Sequence, residues 1–527
     1  MPVPASELEI ETVREGTSAL DMAQTIFGSG VTVTGASFRG DRDSAGTYSG
    51  GDSTSPGVTP GDTGIILSTG DAEDFTNSSG QANQSTNTST NTSGQNNSSQ
   101  YNAVAGARTY DAATLDVDFI PDASVMTMKF IFSSEEYPEF QNSIYQDFFG
   151  VWINGTLVPM DVGNGDTDPG NVNTTNNINM FVDNQNDDFN TEMDGFTITL
   201  TLTMNVNPGV VNSMRVAIAD VADSSYDSNV LIAADSVQTD LVAVSDDIDL
   251  FPDGDKVIDV LANDINNGPG TLTITQINGQ DVIAGDTITL PTGQTVKLNP
   301  DGTFTVTGDG DVEDFNFTYT VTDGTETDVG FVNATGVPCF VAGTLIATPT
   351  GERAAETLRP GDLVQTQDDG PQPLRWIGTR KVAATGDFAP IHIRANTFGR
   401  HRDLLVSPLH RVLIRDNMAE LLFGEAEVLV AARDLVNDRS VRRREGGEVT
   451  YVHLLFDRHQ VVFSEGLETE SFLPGPQTTK SLEREVVDEI CAIFPELDAE
   501  TGTGYSPAAR RTLKRYEADL LRAGKVA

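Results

Sequence analysis

The sequence predicts a mainly β protein of several domains, and three observations carry that reading. Apolar and polar residues alternate in many short runs, as in Ala113–Ile120 and Val125–Ser134, with Gly, Asn and Asp turns between them. That period of two belongs to strands packed on one face. A length of 527 residues exceeds what one core organises, so about three or four domains are expected. Charge then divides the chain: residues 1–336 hold 8 basic and 50 acidic side chains, residues 337–527 hold 24 and 28, and the nets of −42 and −4 sum to −46. So negative a field disfavours nucleic acid and anionic membranes as partners and favours cations.

Cys339 and Cys491 are the only cysteines, too few for a disulfide scaffold. No run of 18 apolar residues is present, so no membrane span is expected. Residues 1–15 read as a leader segment without the basic and then apolar stretches of a cleaved signal. Acidity, scarce cysteine and serial β units suit an extracellular or cell-surface protein. Its export is expected to need no cleaved N-terminal signal, as in type I secretion.

The first unit, residues 16–240, reads as a β-sandwich or jelly roll. Residues 16–30 predict a short helix capped by Ser18, with Leu20, Ala23 and Ile26–Phe27 on one face. Strands are expected at 31–34, 65–70, 113–120, 125–134, 196–206 and 214–218. From Asn77 to Gln100 nearly every residue is Asn, Ser, Thr, Gln or Gly, which predicts a solvated or disordered loop.

Within this unit, Ser133-Ser-Glu-Glu-Tyr-Pro-Glu-Phe140, Phe148-Phe-Gly150 and Ala219-Asp-x-x-Asp-Ser-x-Tyr-Asp-Ser228 resemble the bacterial choice-of-anchor L domain. The resemblance implies a surface or secreted β domain. Glu135, Glu136, Asp220, Asp223 and Asp227 are of the type that supplies the oxygen ligands Ca2+ prefers, against the blander reading of a solvated acidic rim.

Residues 241–336 read as a small sandwich, with Pro300-Asp301-Gly302 as a hairpin turn. Val260-Leu-Ala-Asn-Asp264, Asn299-x-Asp-Gly-Thr-Phe304 and Phe317-Thr-Tyr-Thr-Val-Thr-Asp-Gly324 resemble the cadherin-like and immunoglobulin-like repeats of bacterial adhesins. One copy implies a spacer.

Residues 337–475 change character. Cys339 opens the segment that holds all five histidines, His392, His401, His410, His453 and His459. A lone thiol followed by imidazoles suggests nucleophilic chemistry. Cys339-Phe-x-x-Gly-Thr-x-Ile-x-Thr, Leu358-x-Pro-Gly-Asp-x-Val-x-Thr366, Ser407-Pro-Leu-His410 and Tyr451-Val-His-Leu-Leu-Phe-Asp-Arg-His459 resemble, in order, the blocks of a Hint (Hedgehog/intein) domain. The resemblance implies an all-β horseshoe that cleaves its own polypeptide. Cys339 would attack the carbonyl of Pro338 through a five-membered ring, giving a thioester. Ser407 would orient the scissile amide, His410 would protonate the departing amine, and His459, or else His453 or Asp457, would assist the thiol. The chemistry needs no cofactor, and an unidentified nucleophile would finish it.

Two departures stand out. Ser407 replaces the family's Thr, and Glu468-Thr-Glu-Ser-Phe472 stands where inteins carry His-Asn. Without the cyclising Asn, cleavage is expected rather than ligation of the flanks. The competing readings are an inert buried thiol in a silent fold beside a surface adhesion module, a zinc site without the usual ligand spacing, and a hydrolase of other molecules. A nucleophile at a domain boundary argues against the last. The tail, residues 476–527, predicts two helices, one over 481–494 with Cys491 on its apolar side and one opened by Ser506-Pro507 and ended at Gly524.

Overall fold

The computed structural model describes residues 3–472 apart from 86, 142, 161, 163–164, 251–254, 310–314, 336–338, 385–388, 424 and 438, and beyond them 506, 508–513, 518 and 521. Pro338, Cys491 and the 481–494 helix lie outside these residues. Among the described residues no helix is long and apolar enough to cross a membrane.

Two antiparallel sheets build the first domain. One runs, in space, Glu9–Thr12, Ala45–Ser49, Thr63–Ser68, Ser228–Ala233, Val125–Ser134, Gly195–Thr197 and Phe181–Asp183, with Leu200–Asn205 also on Val125–Ser134. The other runs Val31–Arg39, Thr109–Pro121, Asn212–Val221, Phe148–Ile153 and Thr156–Leu157. Their inward residues, among them Leu115, Phe119, Phe130, Phe132, Phe149 and Val216, form one core, as period-two patterning requires. The run expected over 196–206 is interrupted at 198–199, where the Thr197 hydroxyl accepts from the Phe132 N–H at 3.1 Å.

The first helix spans Ala19–Ile26, and Ser18 and Asp21 cap each other's backbone N–H. Its inner face is Met22, Ala23 and Ile26, whereas Leu20 is 43 % exposed. Met22 lies a full turn before Ile26 and takes the place expected for Leu20. The Asn77–Gln100 stretch also departs from expectation. Its backbone is held by acidic side chains of the domain body: Gln84 N–H donates to Glu192 at 3.0 Å and Thr90 N–H to Asp227 at 3.0 Å. A polar loop with nothing apolar to bury is ordered here by buried acceptors.

The second domain is a smaller sandwich. Asp246–Asp249, Thr327–Thr335, Phe315–Thr322, Thr273–Ile277 and Gln280–Asp281 face Asp255–Ile258, Phe304–Thr307, Thr295–Leu298 and Thr287–Thr289. Its core includes Val296, Phe304, Phe317 and Tyr319. The hairpin at Pro300-Asp301-Gly302 forms, with Gly302 at φ +89°, a backbone region that favours glycine. This domain is seated on the first. Phe331 joins the first core, and Thr201 donates to Asp328 at 3.0 Å. The buried Asn179 donates to the Asn316 carbonyl at 2.8 Å, accepts from Thr292 N–H at 3.1 Å, and its own carbonyl accepts from Asn278 at 2.9 Å.

The third domain holds two sheets. The six-stranded one runs Trp376–Ala383, Glu448–Leu455, Phe340–Val341, Leu404–Val406, Ile391–Ile393 and Val441–Arg443. The nine-stranded one includes Val461–Ser464, Leu467–Glu470, Arg411–Arg415, Glu427–Ala431 and, from the tail, Arg511–Thr512. The core between them includes Phe340, Val406, Val452, Leu454 and Leu513. The helix expected from Ser506 does not begin there. Arg511–Thr512 instead pairs in parallel with Val428–Leu429, the Ser506 hydroxyl accepts from His459 N–H at 2.7 Å, and helical backbone is described further on, at Ala518 and Leu521.

Replacing Asn179 by Ala strands several buried partners at the seam between the first two domains, a loss of about 2–3 kcal/mol. Thermal unfolding followed by calorimetry should then resolve separate transitions for the two domains, where the natural protein is expected to unfold them in one.

Candidate functional site: a buried thiol among histidines

The register of one two-residue strand sets the site. Phe340–Val341 lies antiparallel between two neighbours, with Phe340 opposite both Val406 and Val452. One residue back, Cys339 therefore stands beside Ser407 on one side and His453 on the other. The Cys339 N–H donates to Ser407 Oγ at 2.7 Å, and Ser407 N–H donates back to the Cys339 carbonyl at 2.9 Å. The Cys339 Sγ is 3.4 Å from His453 Nε2. The thiol is 6 % exposed and packs with Ala384, Leu409, Val449 and Tyr451.

His453 is held by rings. Phe472 meets it edge-on at 5.3 Å and Trp376 lies 6.4 Å away. Trp376 covers Gly378, the residue opposite His453, where an added Cβ would collide with the indole.

His410 closes the turn begun by Ser407, its N–H donating to the Ser407 carbonyl at 3.1 Å. Its ring meets Phe340 at 4.3 Å between centroids, tilted by 59°, is 2 % exposed, and has no hydrogen-bond partner for either nitrogen among the described residues. Burial pushes this imidazole down to about 4, with Glu470 opposing and Arg411, His453 and His459 adding to the fall. It is neutral at pH 7.

Glu470 anchors the wall behind it. This fully buried carboxylate accepts from Arg411 N–H at 2.8 Å and from Arg411 Nη1 at 3.1 Å, and lies 3.5 Å from His459 Nε2. Burial would raise it, but Arg411, His459 and His410 together bring it down to about 2. His459 has both nitrogens engaged: Nδ1 accepts from Ala509 N–H at 2.9 Å, and Nε2 faces the Ser471 carbonyl at 3.1 Å. An accepting Nδ1 puts the proton of the neutral ring on Nε2.

Of the residues singled out in the sequence, the structure brings Cys339, Ser407, His410 and His453 together. His459 is tied to Glu470 and Ser471. Asp457 lies at the surface with both oxygens on Arg375, at 2.8 and 2.7 Å. His392 is 3.7 Å from Asp403 at the surface, and His401 bonds the Arg402 carbonyl at 2.6 Å. Glu470 escaped the sequence reading. Nothing local separates it from Glu468, which pairs with Arg415 at 3.0 Å.

The acidic residues of the first domain fall in two groups: Glu136, Asp220, Asp223 and Asp227 lie within reach of the charge of Asp147 or of one another, whereas Glu135 faces Asp194 and Glu192. Glu136 and Asp220 are buried near Asp147, which the sequence reading passed over and which accepts from Val221 N–H at 3.1 Å and Ser228 Oγ at 2.7 Å. Burial and then the Asp147 charge push Glu136 up to about 10, and both raise Asp220. Glu135 is pushed up to about 9 by burial and Asp194, Asp227 up to about 7 by burial, and Asp223 is bonded by Ser225 N–H at 3.1 Å. Among the described residues no group of three or more His, Cys, Asp or Glu is arranged to hold a metal ion.

The two shifts in the third domain act in one direction. The folded His410 takes a proton near 4 where the unfolded one takes it near 6.5. Its share of stability is therefore complete above pH 6.5 and lost as pH falls toward 4, on the order of 3 kcal/mol. Glu470 adds a loss between its ordinary 4.5 and about 2. Urea unfolding of this domain at pH 7 and at pH 4.5 should show the drop, and His410→Gln should flatten it. An unchanged slope in that variant would contradict the assignment.

Models of three families match consecutive stretches of the chain: the choice-of-anchor L domain over residues 11–238, the bacterial Ig domain over 238–335 and the Hint domain over 338–476. No curated protein matches it. Among solved structures, the gp41-1 intein is similar over 25 % of this chain and 97 % of its own, at 12 % identity and a TM-score of 0.17. The N-terminal eight Ig domains of Down Syndrome Cell Adhesion Molecule are similar over 56 % of this chain and 31 % of theirs, at 9 % identity and a TM-score of 0.15. Extracellular domains 3–5 of Drosophila OTK are similar over 64 % and 87 %, at 12 % identity and a TM-score of 0.16. The three family matches, in order, define the architecture of this chain as a choice-of-anchor L domain, a bacterial Ig domain and a Hint domain in series.

Proposed function

We propose that the Hint domain cleaves its own chain between Pro338 and Cys339 and frees the two acidic domains before it. The observation that carries this is the convergence on one residue. The amide nitrogen of the bond to be cut is on Ser407 Oγ at 2.7 Å, and the thiol beside it is on His453 Nε2 at 3.4 Å. His410 stands near with both nitrogens unpartnered among the described residues.

The chemistry balances with these groups. His453 takes the Cys339 thiol proton as Sγ bonds to the Pro338 carbonyl carbon. The tetrahedral intermediate collapses with loss of the C–N bond, and the departing nitrogen takes a proton from His410. A neutral imidazole both gives and receives a proton, so His410 recovers its own from the protonated His453 ring, directly or through water. The result is a thioester on Cys339 and a free amine at its nitrogen. Water or an external thiol or amine then bonds to the acyl carbon, and its proton returns to Sγ. Since Glu468–Phe472 holds no Asn to cyclise, the flanks are not joined.

The match to the choice-of-anchor L family supports a secreted or cell-surface place for the freed part. The buried bonds between the first two domains support its release as one rigid body.

The test is mass spectrometry of the purified chain with and without added thiol. The natural sequence should yield a fragment ending at Pro338, more quickly with thiol. Cys339→Ala should yield none, and Ser407→Ala and His410→Ala should slow it by about 100-fold, the usual scale of proton-transfer and orienting groups. A natural chain intact under every condition sinks the proposal.

A further inference from the structure

The segment 506–513 returns to the Hint domain from about 30 residues beyond the last matched position, 476. It lands on a candidate site histidine. Ser506 Oγ takes the His459 N–H at 2.7 Å, and Ala509 N–H donates to His459 Nδ1 at 2.9 Å. The segment is well fastened. Arg510 pairs with Glu427 at 2.7 Å and with Asp368 at 2.8 Å. Arg511 lies over the Phe423 ring at 5.2 Å. Leu513 N–H donates to the Leu429 carbonyl at 2.9 Å, and Leu513, Ala518 and Leu521 are buried in the domain's core.

We infer that this strap is a working part of the Hint site, and that Ala509 and Glu470 are positioning residues for His410. The inference rests on the proposed self-cleavage. The Ala509 N–H fixes the His459 tautomer, so that the Nε2–H points at Ser471 O and Glu470, 3.1 and 3.5 Å away. Glu470, so held, grips the Arg411 backbone N–H at 2.8 Å and its side chain at 3.1 Å. Arg411 follows His410 directly, and the neighbouring His410 carbonyl accepts from Ala432 N–H at 3.0 Å. His410 has no hydrogen bond of its own to fix its ring among the described residues, so its place depends on its backbone and on Phe340. The relay runs from strap to His459, to Glu470, to the backbone beside His410. None of its members touches the reacting atoms.

The experiment uses the full chain, with Ala509→Pro, which removes a single N–H, and Ser506→Ala. Cleavage rates are read by mass spectrometry, and the His459 tautomer by nitrogen NMR on chains labelled at their five histidines. We expect the Nε2–H form of His459 in the natural protein and its loss in Ala509→Pro. We expect cleavage to slow about tenfold there, the scale of one hydrogen bond, and less in Ser506→Ala. Glu470→Gln should slow cleavage while leaving the tautomer unchanged. Natural cleavage rates in both strap variants, or an unaltered tautomer in a folded Ala509→Pro, overturn the inference. If Ala509→Pro does not fold, Ser506→Ala decides: slower cleavage supports the strap and an unchanged rate refutes it. If the natural chain does not cleave at all, the self-cleavage reading fails, and the tautomer in the variant still decides the strap.

Discussion

The Hint site depends on the pairing of Phe340–Val341 between two longer strands. A two-residue strand is marginal by itself, yet here both of its edges are bonded and Phe340 is buried. That pairing holds Cys339 in a fixed register. A slip of one residue would turn Cys339 to the opposite face and take its N–H off Ser407. Packing of Phe340 against the His410 ring ties the same strand to the imidazole. Thiol, amide and imidazole are thus located by one short segment of backbone.

Charge divides the molecule a second time, at the level of burial. The first domain carries its surplus acid partly inside, where Glu135, Glu136, Asp147 and Asp220 are all shifted toward the protonated form. Burial of a carboxyl without a cation favours its neutral state. The Hint domain does the reverse. Arg411 stands against Glu470 and keeps it ionised in the core, as a buried charge requires. Burial beside that pair leaves His410 neutral, the state in which an imidazole passes a proton in either direction.

Much of this was legible in the sequence where the signal is local or ordered along the chain. The Ser18 cap, the sandwich strands, the Asp301-Gly302 hairpin and the order Cys339, Ser407, His410 all belong to that class. What stayed hidden depends on partners distant in sequence. His453 and His459 lie in one stretch, and only the cross-strand register shows that His453 meets the thiol. Glu470 differs from Glu468 solely in what lies across from it. The Asn77–Gln100 loop looks unstructured until the buried Asp227 and Glu192 are seen to receive its N–H groups. Ser506-Pro507 has the form of a helix start, yet Arg511–Thr512 after it is a strand, paired with the distant Val428–Leu429.

The position of the strap has a consequence for timing. A ribosome makes the two acidic domains first, and His459 gains its last partner only when Ala509 has emerged, 171 residues after Pro338 (509 minus 338). At about 5–20 residues per second, that interval is roughly 10–30 seconds. The two sandwich domains therefore have time to fold and dock on each other before the Hint domain gains this contact. A contact placed so late in the chain makes the Hint domain the last of the three to be completed, by the order of synthesis alone.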